Sequence, residues 1–251
     1  MKHLTLPQNY MIARYIYLSD ELSKLPVVTK GVHCGEPVFR FRDGNRYLRK
    51  RSGGKDGERL NQIYQKRTKF SSCLDEVVSS FIGDIEHISS KYSISFVKDS
   101  ILDEAFFRKA PSNASPFKND YRYELNGVKY RSRGELMIAQ VLTDMGLEFK
   151  YECPIVCGDR CYTADFLIFL PEFKRCFIIE YLGRLDDEDY VLKNSRKIRD
   201  YLDKGIYFGR DIAFLCGDLT ETPTADQIRI IVCNMLEYIT SNHLIQDSIG
   251  I

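Results

Sequence analysis

A chain of 251 residues can hold one large domain or a core with an appendage, and 44% hydrophobic with 28% charged residues excludes a disordered or fibrous protein. It has no apolar run near the roughly 20 residues of a membrane span. Its start, MKHLTLPQNYMIARY, lacks the plan of a signal peptide, so a cytoplasmic, membrane-free protein is expected.

The net charge of +1 hides an asymmetry. Residues 1–130 carry 22 Lys and Arg against 15 Asp and Glu, residues 131–251 carry 14 against 20, and residues 30–70 alone carry 12 against 4. A local excess of this kind is the footprint of a polyanion-binding surface, although a merely solvated face has the same composition.

Residues 8–25 space Met11, Tyr15, Leu18, Leu22 and Leu25 for a helix. VFRFRDGNRYLRKR (38–51) reads as a β-hairpin turning at Asp43-Gly44-Asn45, with Phe39 and Phe41 alternating with Arg40 and Arg42. The returning strand adds Arg46, Arg49, Lys50 and Arg51. Like charges across a ladder repel, and a phosphate backbone would relieve the repulsion. Leu60, Ile63, Tyr64, Phe70, Leu74, Val77, Phe81, Ile85 and Ile88 then mark a long amphipathic helix over 57–90, a candidate surface for homodimerisation. KAPSNASPFKND (109–120) is rich in Pro, Ser and Asn and reads as a linker between a basic module (1–115) and a second domain (121–251).

YELNGVKY turns at Asn126-Gly127. Ser132 and Glu135 form a capping box that opens a helix burying Leu136, Ala139, Leu142 and Met145 and ending at Gly146. Strands are predicted at 148–156, 161–170 and 175–182, a helix at 187–204, a strand at 211–216 and a helix at 224–240. The order is α-β-β-β-α-β-α. Cys153, Cys157 and Cys161 recur every fourth residue without a histidine or a second pair nearby, so small buried thiols in a β-region are the default over a metal site. Asp186 to Asp189 favourably charge the start of the helix that follows.

Asp165 interrupts the apolar run YTADFLIFL, and Glu180 ends CFIIE. On paired antiparallel strands the two carboxylates sit near one edge, where they repel each other unless a divalent cation is shared. Mg²⁺ suits such a site and leaves room for a phosphate oxygen. Glu135 could supply a further oxygen or orient a water. Each residue also has a plainer role: Glu135 as a cap, and Glu180 in an ion pair with Arg131, Arg133 or Lys197.

SRGE, ADF and IIEYLG on this order resemble the PD-(D/E)XK nuclease superfamily, with a restriction-endonuclease-like αβββαβ core in a mixed sheet. Residues 180–209 are similar to a bacterial branch of it. The resemblance covers about residues 121–220 and implies Mg²⁺-dependent hydrolysis of phosphodiesters, in DNA, with Mn²⁺ able to substitute. Asp165 and Glu180 would bind metal and Glu135 would assist. Ala164 stands where the motif has Pro, and Leu182 replaces the motif lysine. Members of the superfamily can supply that lysine from the next helix. With Ile198 at the centre of the buried face, Lys197 falls at about −100° and Lys193 at about −140°, which favours Lys197. Arg131 and Arg133 flank a helix N-terminus, where phosphate is also attracted. The alternative is a nuclease fold that lost activity with its lysine and only binds nucleic acid.

Overall fold

The computed structural model describes residues 6–114, 121–217 and 222–247. Within them the chain forms two compact units, residues 11–93 with 246–247, and residues 6–10 with 94–245. The division falls near residue 93, not in the expected linker at 109–120, of which residues 115–120 lie outside the described residues. The reason is apolar burial. Leu102, Phe107 and Ala110, expected in the first module, belong to the core of the second unit.

In the first unit, α1 (Gln8–Lys24) precedes an antiparallel meander of β1 (Val28–His33), β2 (Glu36–Asp43) and β3 (Arg46–Arg51). The expected hairpin thus gains a third strand. Its turn is Cys34-Gly35, both at positive φ (51° and 80°), as a tight two-residue loop demands. Phe39 packs with Val28 and Leu60 in a small core that Phe41, Ile63 and Tyr64 complete. Leu60 belongs to α2 (Gly54–Ser80). The helix expected over 57–90 breaks after Ser80: Gly83 takes φ 116°, and Asp84 caps the separate α3 (Ile85–Ser89) by accepting His87 N–H. Arg67 of α2 donates to the carbonyls of Leu22 and Leu25, satisfying the end of α1. The chain leaves this unit within β4 (Tyr92–Ile94).

The second unit opens with α4 (Glu104–Lys109), whose Phe107 stacks on Phe169 at 4.9 Å between centroids. A hairpin of β5 (Tyr123–Leu125) and β6 (Val128–Tyr130) turns at Asn126-Gly127, as expected. Then follow α5 (Arg133–Asp144), β7 (Glu148–Cys157), β8 (Arg160–Leu170), a single 3₁₀ turn (Pro171–Phe173), β9 (Arg175–Leu182), α6 (Glu188–Asp203), β10 (Ile212–Cys216), α7 (Ala225–His243) and β11 (Leu244–Gln246). This reproduces the predicted α-β-β-β-α-β-α order. The sheet order is β10-β9-β8-β7; β7, β8 and β9 are antiparallel and β10 is parallel to β9, making a mixed α/β sheet.

Central position explains the near-continuous apolar runs of β8 and β9, since helices cover both faces. Leu167, Phe169 and Ile178 share a core with Leu102, Phe107 and Tyr201, while Phe166 meets Tyr130 and Tyr151. Cys153 and Cys157 are buried in that first core; Cys161 is exposed. Among the described residues, no helix is long and apolar enough to cross a membrane.

Candidate active site

The register of β8 and β9 runs from Leu170↔Arg175 to Phe166↔Ile179 and stops. The next pair outward is Asp165 and Glu180, and there the strands part. β8 goes on beside β7 and β9 goes on beside β10. Parting strands leave backbone groups that need partners. Asp165 Oδ2 accepts the Tyr181 N–H at 2.7 Å, and Lys197 Nζ donates to the Thr163 carbonyl at 2.7 Å.

The same ammonium lies 2.6 Å from Glu180 Oε2, and the Tyr201 hydroxyl donates to Oε1 at 3.0 Å. Glu180 is 2% exposed. Burial pushes its pKa up to about 7; the Asp165 charge adds to the rise, while Lys197 and the Tyr201 hydroxyl oppose it. The ion pair anticipated for Glu180 is thus made with Lys197. Arg131 instead pairs with Glu152 at 2.5 Å.

The inward face of α6 differs from expectation. Tyr201 is its one buried residue among those described, and Tyr190, Asn194 and Lys197 share that stripe, whereas Val191 and Leu202 are each 37% exposed. The helix is therefore turned toward Lys197 rather than centred on Ile198, because the strand gap offers polar partners. Lys193 is exposed and does not line the cleft. Asp187 caps α6 by accepting Tyr190 N–H, the structural role anticipated for the acidic cluster.

Glu135 does cap its helix. Its Oε2 accepts the N–H groups of Arg131 and Ser132 and the Tyr151 hydroxyl, all at 2.9 Å, and Ser132 Oγ accepts Glu135 N–H. The N–H groups of Arg131 and Ser132, just before the helix, are therefore taken by Glu135 and not open to phosphate. Oε1 has no hydrogen-bond partner among the described residues. Burial raises the Glu135 pKa, the Asp165 charge raises it further, and the Tyr151 and Ser132 hydrogen bonds oppose the rise. Gly134 makes the approach feasible. A Cβ there would lie 2.4 Å from the Tyr181 ring, so only glycine lets α5 start against the end of β9. Leu182 is half-buried at the strand end.

These groups line one open cleft of about 860 Å³ that brings together Glu135, Asp165, Glu180, Lys197, Arg131 and Arg133. Arg122 and Arg184, which sequence reasoning missed, join its rim, and both lie close in sequence to predicted motifs. The polar atoms beside a cleft of three carboxylates suit a hard divalent cation in chemistry: Asp165 and Glu180 offer oxygen donors whose mutual repulsion the cation would relieve. Among the described residues no trio of His, Cys, Asp or Glu is already gathered as a metal cage, and both Glu180 oxygens are engaged by Lys197 and Tyr201.

In the first unit, alternation divides the predicted basic residues between two sides of the sheet. Arg40, Arg42, Arg49 and Arg51 share the outer face, since Arg40 pairs with Arg49 and Arg42 with Tyr47 across the ladder. Arg46 and Lys50 alternate to the side of Leu48 and Phe39, and Lys50 pairs with Asp56 of α2 at 2.9 Å. On the outer face Arg51 pairs with Glu36 at 2.9 Å, Arg49 Nη1 lies 2.8 Å from His33 Nδ1, and Arg42 lies over the exposed Tyr47 ring.

No family model matches the chain, and no curated protein or solved structure matches it.

Proposed function

We propose that this protein is a divalent-metal-dependent nuclease of PD-(D/E)XK type that hydrolyses phosphodiester bonds in DNA. The observation that carries the reading is the bridge Asp165–Tyr181, Glu180–Lys197, Lys197–Thr163 at the point where β8 leaves β9, facing a cleft rimmed by arginines. The αβββαβ succession ending in a parallel strand is the arrangement such a core requires.

Asp165 and Glu180 would hold Mg²⁺ or Mn²⁺, which when bound supplies Lewis-acid polarisation of the phosphoryl group. The chain's own groups do the rest. Arg131 and Arg133 hold phosphate oxygens, limiting the substrate to an orientation in line with an attacking water. Glu135 Oε1, on a carboxyl whose pKa is raised, accepts a hydrogen bond from that water and orients it. Lys197 replaces the motif lysine that Leu182 lacks and stabilises the negative charge that grows on the phosphoryl oxygens. Water oxygen bonds to phosphorus as the bond to the leaving oxygen breaks; the water proton passes to solvent, and the leaving oxygen takes a proton from solvent to depart as a hydroxyl. The outer face of the three-stranded sheet adds backbone affinity that falls with salt.

One observation favours a second reading. Both Glu180 oxygens are occupied by Lys197 and Tyr201, as a retired site that only binds nucleic acid would have them. Incubation of supercoiled plasmid with Mg²⁺ or Mn²⁺ separates the two. Nicking by the wild type that is lost in Glu180→Ala supports the nuclease; salt-sensitive binding without nicking in either metal overturns it in favour of the binding module. Self-association through α2 would appear as a dimer in sedimentation.

A further inference from the structure

We infer that Glu152 is a positioning residue that holds Arg131 as the phosphate-binding cation of the cleft. The inference rests on the nuclease reading, since the ligand it assigns to Arg131 is a phosphodiester oxygen.

Glu152 sits inside β7 at φ 52°, a left-handed conformation that residues with a Cβ avoid. Such residues persist where their surroundings over-determine them, often beside a functional group. The surroundings here do so. Asn113 N–H and Ala114 N–H bind the carbonyls of Tyr151 and Glu152 at 2.8 and 3.1 Å. Across the sheet, Tyr151↔Phe166 and Cys153↔Ala164 are paired, and the position skipped between them faces Glu152 with Asp165.

The turn of the backbone inverts the sense of the strand. Tyr151 packs on Tyr130 and Phe166, whereas Cys153, which regular alternation would put on the same face, belongs to the core of Leu167 and Phe169. Two consecutive side chains thereby reach two groups at the start of α5. Tyr151 donates to Glu135 Oε2 at 2.9 Å, and Glu152 Oε1 lies 2.5 Å from Arg131 Nη2. The second Glu152 oxygen accepts the Tyr121 hydroxyl at 2.5 Å.

Glu152 is fully buried, while Arg131 keeps 27% of its side chain exposed and lines the cleft with Asp165 and Glu180. The guanidinium is held from behind by Glu152 and also meets the Tyr151 hydroxyl, and its remaining N–H groups are those that can meet a phosphate. Without Glu152, only the Tyr151 hydroxyl restrains the side chain from folding onto the carboxylates it shares the cleft with. Glu152 thus turns a flexible cation into an oriented one.

Charge alone predicts the opposite of positioning, which makes the inference testable on the full chain. Removing a negative charge should tighten binding to a polyanion; loosening Arg131 should weaken it. Binding of a labelled DNA oligonucleotide would be measured in an Asp165→Asn background, and kcat and KM in the otherwise native protein, for Glu152→Gln, Arg131→Ala and their combination. Glu152→Gln is expected to weaken binding about threefold or more and to lower kcat/KM about tenfold. Arg131→Ala should also reduce the salt slope of binding by about one. The combination should be no worse than Arg131→Ala. Tyr121→Phe, which frees only one Glu152 oxygen, should act in the same direction more weakly and guards against a folding defect in Glu152→Gln. Tighter binding by Glu152→Gln with kcat/KM retained, or losses that multiply in the combination, overturns the inference while wild-type cleavage leaves the nuclease reading standing. A wild type that neither binds nor cleaves overturns both.

Discussion

Lys197 spans the gap between β8 and β9, its ammonium 2.6 Å from Glu180 Oε2 and 2.7 Å from the carbonyl of Thr163. One side chain from α6 thus satisfies a strand carbonyl and a buried carboxylate at once. Its removal leaves Glu180 buried without a counter-charge and with only the Tyr201 hydroxyl as partner, which is costly while Glu180 is charged. Lys197→Met should lower stability by about 3 kcal/mol at pH 8 and by clearly less at pH 5.5, where Glu180 is protonated. Urea unfolding at the two pH values measures the difference; an equal loss at both would show that the ammonium matters for packing alone.

The same variant should lose cleavage by about 10² to 10³-fold with DNA affinity little changed, as expected when a charge-stabilising donor is removed. Lys193→Ala should cleave like the wild type, because Lys193 is exposed and lies outside the cleft. Single-turnover cleavage at saturating DNA tests both. Loss in Lys193→Ala with survival of Lys197→Met would reverse the assignment.

Most of the strand and helix succession from Ser132 onward was legible, because apolar runs there are bounded by turn and capping residues, whereas α4 and β11 are too short to leave such a signal. β8 and β9 are short apolar runs between turn residues, and α5 announces itself through Ser132 and Glu135. The placement of Lys197 had a harder route. Apolar periodicity pointed to Ile198 as the buried centre of α6, yet the polar strand gap turns Tyr190, Asn194, Lys197 and Tyr201 inward. Hydrophobic pattern cannot register such a gap. The split of Arg46 and Lys50 from Arg40 and Arg42 was latent in strand alternation, but fixing it required the pairing of β2 with β3. The left-handed Glu152 left no signal, since Glu has no special preference for that conformation.

A pKa near 7 for Glu180 governs the response to pH. Its folded value stands above the ordinary 4.5, so the folded state holds a proton that the unfolded chain has already released between those two values. Stability of the metal-free protein should therefore fall as pH rises from about 4.5 through 7, by up to about 3 kcal/mol from this group. Metal affinity should move the other way, weakening about tenfold per pH unit below 7 because the ligand must be ionised. Thermal shifts by Mn²⁺ at pH 5.5, 6.5 and 7.5 read it directly. In Glu180→Gln that pH dependence should vanish; persistence there would assign it to another group.

Glu135 carries a structural and a proposed chemical task on different oxygens, which allows them to be separated. Ser132→Ala removes a cap and should cost about 1 kcal/mol of stability with cleavage retained. Glu135→Gln keeps a carbonyl acceptor for the capping N–H groups, so stability should change little while single-turnover cleavage drops at least tenfold. Full cleavage by Glu135→Gln would reduce the residue to its cap.

Leu102 and Phe107 lie in the core of the second unit, at 0% and 2% exposure. A fragment beginning at residue 121 loses both, together with the Phe107–Phe169 stack. Large-to-small changes at such sites cost about 2–5 kcal/mol each, comparable with the whole stability of a domain. That fragment should lack a cooperative thermal transition, whereas one with residues 94–120 restored should regain it. A cooperative transition in the shorter fragment would mean that the unit starts later.

The outer face of the meander makes the last prediction residue by residue. Arg40 and Arg49 face each other across β2 and β3, and among the described residues neither has a carboxylate partner, the group beside Arg49 being the His33 ring. Arg46 and Lys50 lie on the other side, with Lys50 already paired to Asp56. Arg40→Gln with Arg49→Gln should weaken DNA binding and cut the salt slope by about two, near 0.9 for each phosphate no longer neutralised. Arg46→Gln with Lys50→Gln removes the same charge and should leave the slope nearly intact. Equal effects from the two pairs would mean that net charge, not the face, draws the nucleic acid, and a negligible effect from both would move the affinity to the arginines around the cleft.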